Sequence, residues 1–294
     1  MYLSHFNYYA PQTAEEILSP LIEYGEKARI LAGGTDLLVM MKDKLLKPEC
    51  IIDISGITEL AGISFEEGAG ATIGAGTKIA ELEYSKLIEE HFFCLHQAAG
   101  ELGSAQVRAM ATIGGNSCHA SPAAETPPPL IALGARVKLQ GPDGSRELPL
   151  EDFILGNRKT ALKAGEFLRS FFIPEHGKNS ASRYQYLGLR SAMEIDMVNV
   201  AIFLELAQDC VTCSNARIVM GSVSPVPLRA VEAEAMLVGN KFDKKLAVKV
   251  GEAASREAKP ITDLRASAEY RKETVKTLVT RTLLETFAAA VENV

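Results

Sequence analysis

At 294 residues, with 47% apolar and 23% charged positions, the chain has the balance of a folded globular protein and the length for two domains. Its 31 lysines and arginines are interspersed among 37 aspartates and glutamates, a net charge of −6 that excludes the basic footprint of a nucleic-acid binder. No apolar run approaches the roughly 20 residues a membrane span needs. The opening residues lack a secretory signal, and Cys50, Cys94, Cys118, Cys210 and Cys213 are too scattered for a disulfide framework, so a reducing cytoplasm is the expected compartment.

In chain order, Thr13-Ala14-Glu15-Glu16 reads as a capping box opening a helix through Ile17, Leu18, Leu21 and Ile22, which Pro20 should shorten or kink. Residues 28–32 predict a strand that runs into Gly33-Gly34. Residues 36–42 follow as a short helix and 50–54 as a buried, β-branched strand. The glycine-rich stretch 68–77 lacks the G-x-G-x-x-G spacing and a clear βαβ unit with its acidic residue. It reads instead as a turn at 66–70, a strand, and a helix capped by Thr77 that continues through Ile79, Leu82 and Leu87. Beyond a second pair, Gly114-Gly115, residues 127–134 predict a short helix with proline at its start and glycine at its end. Residues 135–140 and 145–150 predict a hairpin about Gly141-Pro142-Asp143-Gly144.

Pro174, Gly177 and their polar neighbours up to Ser180 mark the expected domain boundary. Past it, 199–207 and 210–220 predict two long strands about a Gln208-Asp209 turn, then helices from Val231 and Lys244. The last helix, capped at Ser267 with Glu269 in its first turn, carries Val275, Leu278, Val279, Leu283, Leu284 and Phe287 on one face.

The chemistry concentrates in the two glycine pairs. Leu31-Ala32-Gly33-Gly34-Thr35-Asp36 and Thr112-Ile113-Gly114-Gly115-Asn116-Ser117 share one pattern, an apolar stretch, Gly-Gly, then hydroxyl or amide side chains. Without a Cβ in the way, backbone N–H groups can approach an anion, so the two pairs together predict a phosphate clamp. Other chemistries find less support. Cys210-Val211-Thr212-Cys213 has C-x-x-C spacing but no partner pair, and reads as structural cysteine. His5, His91, His96, His119 and His176 include no H-E-x-x-H and no i, i+4 pair, so no metal site is expected. A G-x-S-x-G elbow and a P-loop are absent.

Ile30-Leu31-Ala32-Gly33-Gly34-Thr35-Asp36-Leu37, Gln106-Val107-Arg108 and Ala111-Thr112-Ile113-Gly114-Gly115-Asn116 resemble the FAD-binding subunit of the molybdenum hydroxylases, the family of xanthine dehydrogenase and carbon monoxide dehydrogenase flavoproteins. The resemblance continues in order through residues 121–128, Arg190-Ser191-Ala192-Met193-Glu194-Ile195, residues 221–230 and residues 263–271. It implies an α+β chain with a two-lobed FAD-binding domain of the vanillyl-alcohol oxidase type at 1–175, its lobe boundary near 57. An antiparallel sheet of three strands with a helical bundle would follow at 176–294.

By the same resemblance, Ile30, Leu31, Ala32, Gly33, Gly34, Thr35, Asp36 and Leu37 form one loop around the FAD pyrophosphate, and Ala111, Thr112, Gly114, Gly115 and Asn116 the other. Val107, Leu102 and Leu168 fall at positions beside the cofactor, and Ile195 at one beside the flavin ring. Glu125 stands where the family carries an aspartate near the ribose and diphosphate, Tyr186 where many relatives carry lysine, and Glu194 where they carry aspartate. Some relatives carry an extra iron–sulfur cluster in an insertion after the second loop. Here Cys118 leads directly into His119-Ala120-Ser121-Pro122, so none is expected.

The function implied is electron transfer through non-covalent FAD within a heteromer, with no acid–base catalytic residue in this chain. A large partner would hold the molybdenum cofactor, a small partner two [2Fe–2S] clusters, and NAD is one candidate acceptor. A free-standing FAD-dependent reductase or oxidase of the same superfamily, and a scaffold that has lost flavin, stay open as alternatives.

Overall fold

Three β-sheets and a two-stranded ribbon organise the chain in the computed structural model, which describes residues 3–190 and 193–293. Ser191 and Ala192 of the Arg190-to-Ile195 stretch lie outside the described residues.

The first sheet is parallel, from β1 (Asn7–Tyr9), β2 (Ala28–Leu31) and β3 (Cys50–Asp53), in the order β1-β3-β2. Helices α1 (Leu18–Tyr24) and α2 (Leu37–Lys42) connect these strands. Pro20 falls in the first turn of α1, where its missing N–H leaves no bond unmade, so the helix is simply short. Thr13 caps the preceding 3₁₀ turn by accepting from the Glu16 N–H at 3.4 Å, but the Glu16 carboxylate turns to the Gln12 N–H at 2.8 Å. Ile17, Leu21, Ile52 and Leu60 close a small core beneath this sheet.

The second sheet is antiparallel, β4 (Ile63–Glu66) and β5 (Gly70–Gly74) meeting a later strand, β10 (Phe167–Pro174), in the order β4-β5-β10-β6-β7. Between β5 and β6 run six short helices: α3 (Ile79–Tyr84), α4 (Lys86–His91), α5 (Phe93–Glu101), α6 (Ala105–Met110), α7 (Ile113–His119) and α8 (Pro127–Ala132). The predicted hairpin is β6 (Arg136–Gly141) with β7 (Gly144–Pro149), followed by α9 (Leu150–Phe153) and the ribbon β8 (Ile154–Gly156) with β9 (Lys159–Thr160). Fully buried Ile73, Leu82, Phe92, Phe153 and Phe171 share the main core of this lobe.

One expectation fails here for a non-local reason. The Thr77 hydroxyl hydrogen bonds across the chain, accepting from the Gly62 N–H at 2.9 Å and donating to its carbonyl at 3.1 Å. Lys78 therefore becomes the N-cap of α3, its N–H donating to Glu81 Oε1 at 3.1 Å. The helix also stops at Ser85, whose hydroxyl caps α4 by accepting from the Ile88 N–H at 3.3 Å.

The third sheet is antiparallel, with three long strands, β11 (Ser180–Leu187), β12 (Val198–Leu206) and β13 (Cys213–Gly221), and the two-residue β14 (Leu228–Arg229) at its edge. The third strand begins at Cys213 rather than 210 because Asp209 Oδ1 accepts from the N–H groups of Val211 (3.1 Å) and Thr212 (2.8 Å) and holds a turn there. Helices α10 (Val231–Leu237), α11 (Lys244–Glu257) and α12 (Ala268–Glu292) cover one face of this sheet. Helices α11 and α12 approach closely because Gly251 has no Cβ; one placed there would lie 2.6 Å from the Lys276 carbonyl oxygen. Among the described residues no helix is long and apolar enough to cross a membrane.

Ser267 Oγ accepts from the Tyr270 N–H at 3.2 Å at the start of α12, as the sequence predicts. Ser267→Ala is expected to lower stability by about 1 kcal/mol, read as a smaller urea midpoint with an unchanged slope.

Candidate functional site between two glycine loops

The first glycine pair leaves the carboxyl end of β2, the edge at which parallel sheets bind ligands. The N–H groups of Ala32, Gly33, Gly34, Thr35 and Asp36 find no acceptor among the described residues, and the loop is partly open to solvent. A row of five free donors fits a diphosphate, since unpaired N–H groups favour an anion held close. Two features fix this backbone. Gly34 has φ +73, a left-handed conformation that side chains disfavour. Gly33 lies against the carbonyl of Met110 and 2.9 Å, measured from an added Cβ, from the Ala111 Cα.

The second pair serves differently. Thr112 is the N-cap of α7, its Oγ1 accepting from the Gly115 N–H at 3.0 Å. The N–H groups of Ile113, Gly114 and Asn116 donate to Thr77 (3.0 Å), Ala75 (2.9 Å) and Thr112 (3.0 Å) carbonyls. At Gly114 an added Cβ would stand 2.6 Å from the Ala75 oxygen, so this glycine permits helix α7 to pack on the β5–α3 turn. The argument from bare donors therefore applies to the first pair and not to the second. What the second loop turns outward is the exposed Gly115 with the Asn116 amide, whose Oδ1 accepts from the Thr126 hydroxyl at 2.6 Å.

The two loops touch. Besides the Gly33 contact with Met110 and Ala111, His119 Nε2 of α7 lies 3.7 Å from Asp36 Oδ1, and Lys78 Nζ donates to the Met110 carbonyl at 3.2 Å. The expected residues Ile30 to Leu37 and Ala111 to Asn116 thus share one location. Leu102 and Leu168 are buried in the core of the second lobe, Leu168 opposite Leu139, and Val107 packs over Gly103. Tyr186 and Ile195 lie on the C-terminal side. The Tyr186 hydroxyl donates to Glu101 Oε2 at 2.7 Å and is pushed up to about 12 by burial and that carboxylate. Ile195 is 49% exposed. Glu101, Tyr184 and Tyr186 also line a groove of about 790 Å³ between α3–α5 and the β11–α12 face.

Near Glu125 the two sides are tied by the Ser222 N–H, which donates to the Pro122 carbonyl at 2.8 Å. Burial first, then the charge of Asp196, pushes the Glu125 carboxyl up to about 8, while the Asn116 amide offers it a hydrogen bond. Asp196, missed in the sequence, is buried; its Oδ2 accepts from the Tyr184 hydroxyl at 2.9 Å and from Asn199 Nδ2 at 3.0 Å. Burial raises this carboxyl to about 6. The available signal was two polar residues three apart, Asp196 and Asn199, at the mouth of an otherwise apolar strand. Among the described residues no three of His, Cys, Asp and Glu gather as a metal site, and burial pushes the Cys213 thiol up to about 11.

Comparison with known proteins agrees with this geometry. Residues 4–176 match the family described as the FAD binding domain in molybdopterin dehydrogenase, and residues 183–286 the CO dehydrogenase flavoprotein C-terminal domain. The chain is 33% identical over 278 residues to the carbon monoxide dehydrogenase medium chain of Hydrogenophaga pseudoflava, covering 95% of this chain and 96% of that one. It is 28% identical over 286 residues to the xanthine dehydrogenase FAD-binding subunit of Escherichia coli O157:H7, covering 97% of each. In structure it superposes on carbon monoxide dehydrogenase from Hydrogenophaga pseudoflava lacking the Mo-pyranopterin moiety, with a TM-score of 0.93 at 33% identity over 98% of this chain and 99% of that one.

Proposed function

The chain belongs to the FAD-binding subunits of the molybdenum hydroxylase-type dehydrogenases, and from that premise we propose that it holds one non-covalent FAD with its diphosphate at the Gly33-Gly34 loop and relays electrons between partner subunits and an external acceptor. The observation that carries this reading is the row of free N–H groups from Ala32 to Asp36, set against the Met110–Ala111 turn that leads into α7. When bound, FAD supplies the two-electron to one-electron exchange that side chains cannot perform. The chain's own residues bind and orient. The loop donors and the glycine that packs on Met110 set the anion's place, and Asn116 and Glu125 face it from the second lobe. Leu102, Val107 and Leu168 form the apolar backing, and Tyr186 and Ile195 close the C-terminal side.

In this reading a large subunit holds the molybdenum cofactor, a small one two [2Fe–2S] clusters, and NAD is one candidate acceptor. The domain division that goes with it places the cofactor in residues 1–175 and the partner-facing bundle in 176–294. Natively purified chain, denatured to release its ligand, is expected to yield about one FAD per polypeptide by absorbance and mass. Affinity purification of the tagged chain from its own cells should bring a molybdenum-containing and an iron–sulfur polypeptide with it. Absence of flavin even after soaking with FAD would overturn the reading, and rapid bleaching of bound flavin by NADH separates NAD from other acceptors.

A further inference from the structure

The two glycine loops meet beside Lys78, a half-buried residue between β5 and α3. Its backbone pairs with Thr112, the N-cap of α7, in an isolated antiparallel bridge. Bonds on either side fasten the same strip, since the Ile79 N–H donates to the Ala111 carbonyl at 2.9 Å and the Ile113 N–H to the Thr77 carbonyl at 3.0 Å. From this anchored position the side chain reaches the first loop. Nζ donates to the Met110 carbonyl oxygen at 3.2 Å, and that oxygen is the atom on which Gly33 packs. One atom therefore touches both the Lys78 ammonium and the loop whose N–H groups from Ala32 to Asp36 are free among the described residues. The other charged groups nearby are engaged. Arg108 Nε and Nη2 donate to Glu83 at 2.7 and 2.9 Å, and His119 Nε2 faces Asp36 at 3.7 Å. Glu81 accepts from the Lys78 backbone N–H at 3.1 Å, and Asp53 accepts from the Tyr8 hydroxyl at 2.6 Å and the Ser55 N–H at 2.9 Å. Among the described residues no carboxylate forms an ion pair with Lys78 Nζ.

We propose that Lys78 is the cationic anchor of the FAD diphosphate, its ammonium extending from the Met110 carbonyl to a phosphate oxygen when the cofactor settles on the first loop. This rests on the reading above that the first glycine loop takes the diphosphate. Five backbone donors orient an anion but carry only partial charges. The chain around them is acidic, at net −6, and Asp36 stands in the loop itself. A dianion brought there needs a full positive charge within reach. Lys78 supplies it at no loss of an ion pair, because its present partner is a neutral carbonyl. An ammonium has three donors, so Nζ can hold the Met110 carbonyl and donate to phosphate together.

The test is titration of the flavin-stripped full chain with FAD, and separately with ADP, which carries the diphosphate without the flavin, at about 0.05 and about 0.5 M salt. In the unaltered chain, affinity for both ligands is expected to fall as salt rises, because screening weakens the charge contact. Lys78→Met keeps most of the apolar stem and removes the charge. It should bind both ligands roughly tenfold more weakly at low salt and show a flatter salt dependence. Lys78→Arg should recover most of the affinity together with the salt dependence. Lys78→Met binding FAD and ADP as tightly as the unaltered chain overturns the inference alone. So does a loss of equal size at both salt concentrations, which reduces Lys78 to a support for the Met110 carbonyl, and so does a loss confined to FAD, which places the ammonium at the flavin. An unaltered chain that binds FAD at neither salt concentration overturns the functional reading and this inference together.

Discussion

Gly33→Ala is expected to abolish stoichiometric FAD binding while Gly115→Ala retains it. At Gly33 the added methyl would run into the carbonyl oxygen of Met110 and stand 2.9 Å from the Ala111 Cα, so one backbone must move away from the other. Overpacking of that kind costs about 1–3 kcal/mol in stability. The loss in binding is larger than its share of that strain, because the same displacement pulls the donors of Ala32 to Asp36 out of line together. Losing two charge-assisted hydrogen bonds at about 1.5 kcal/mol each removes roughly 100-fold in affinity. At Gly115 the added methyl meets only the Thr112 hydroxyl, at 2.9 Å, and the position has no left-handed φ. The expected cost there is about 1 kcal/mol from the disturbed N-cap, with flavin content kept. Released flavin per chain and a titration of each stripped variant with FAD read both effects. Full affinity in Gly33→Ala would show that the first loop is not where the diphosphate sits.

That asymmetry between the glycine pairs is what the sequence could not display. Both pairs sit in the same pattern of apolar residues, glycines and small polar side chains, and local pattern is all a sequence shows directly. Which N–H groups stay free depends on what lies across the fold. Among the described residues nothing crosses over the first loop to accept from it, whereas the carbonyls of Ala75 and Thr77 come up against Gly114 and Ile113 and take their donors. The Thr77 cap failed on the same ground, since Gly62 captured its hydroxyl from a distant turn. Elements set by local chemistry were legible: the β6–β7 hairpin about its glycine turn, α8 with proline first and glycine after, and α12 capped by Ser267. Glu125 was legible through the stretch 121–128 that carries the resemblance, whereas Asp196 was not, because it carries no motif and its partner Tyr184 comes from the neighbouring strand. Burial gives the Asp196 carboxyl its character, and burial is a property of the assembled fold.

Arg271→Ala is expected to cost about 3 kcal/mol, because removing a buried guanidinium leaves the acceptors it served unsatisfied. The side chain is 3% exposed. Its guanidinium donates to the carbonyls of Met197 and Ser222 as well as to Asp263 Oδ1 at 2.8 Å, so three acceptors lose their donor at once. Burial alone would raise the Asp263 carboxyl, but the N–H of Arg265 and the Arg271 guanidinium outweigh it and hold the group well below the usual carboxylate range. A depressed folded value contributes stability at pH values above the unfolded one, and the contribution is lost as pH falls through about 4 and below. The unaltered chain should therefore lose stability on acidification more steeply than Arg271→Ala, whose Asp263 has less to lose. The damage also reaches the cofactor side. Met197 adjoins Asp196, and Ser222 anchors Pro122 three residues before Glu125, so the same guanidinium holds the segments that carry both carboxyls. Arg271→Ala should accordingly weaken FAD binding without touching either glycine loop. Urea unfolding at pH 7 and pH 4, with FAD titrations alongside, measures the three effects. A stability change below about 1 kcal/mol would mean that α12 is held to the sheet by its apolar face alone.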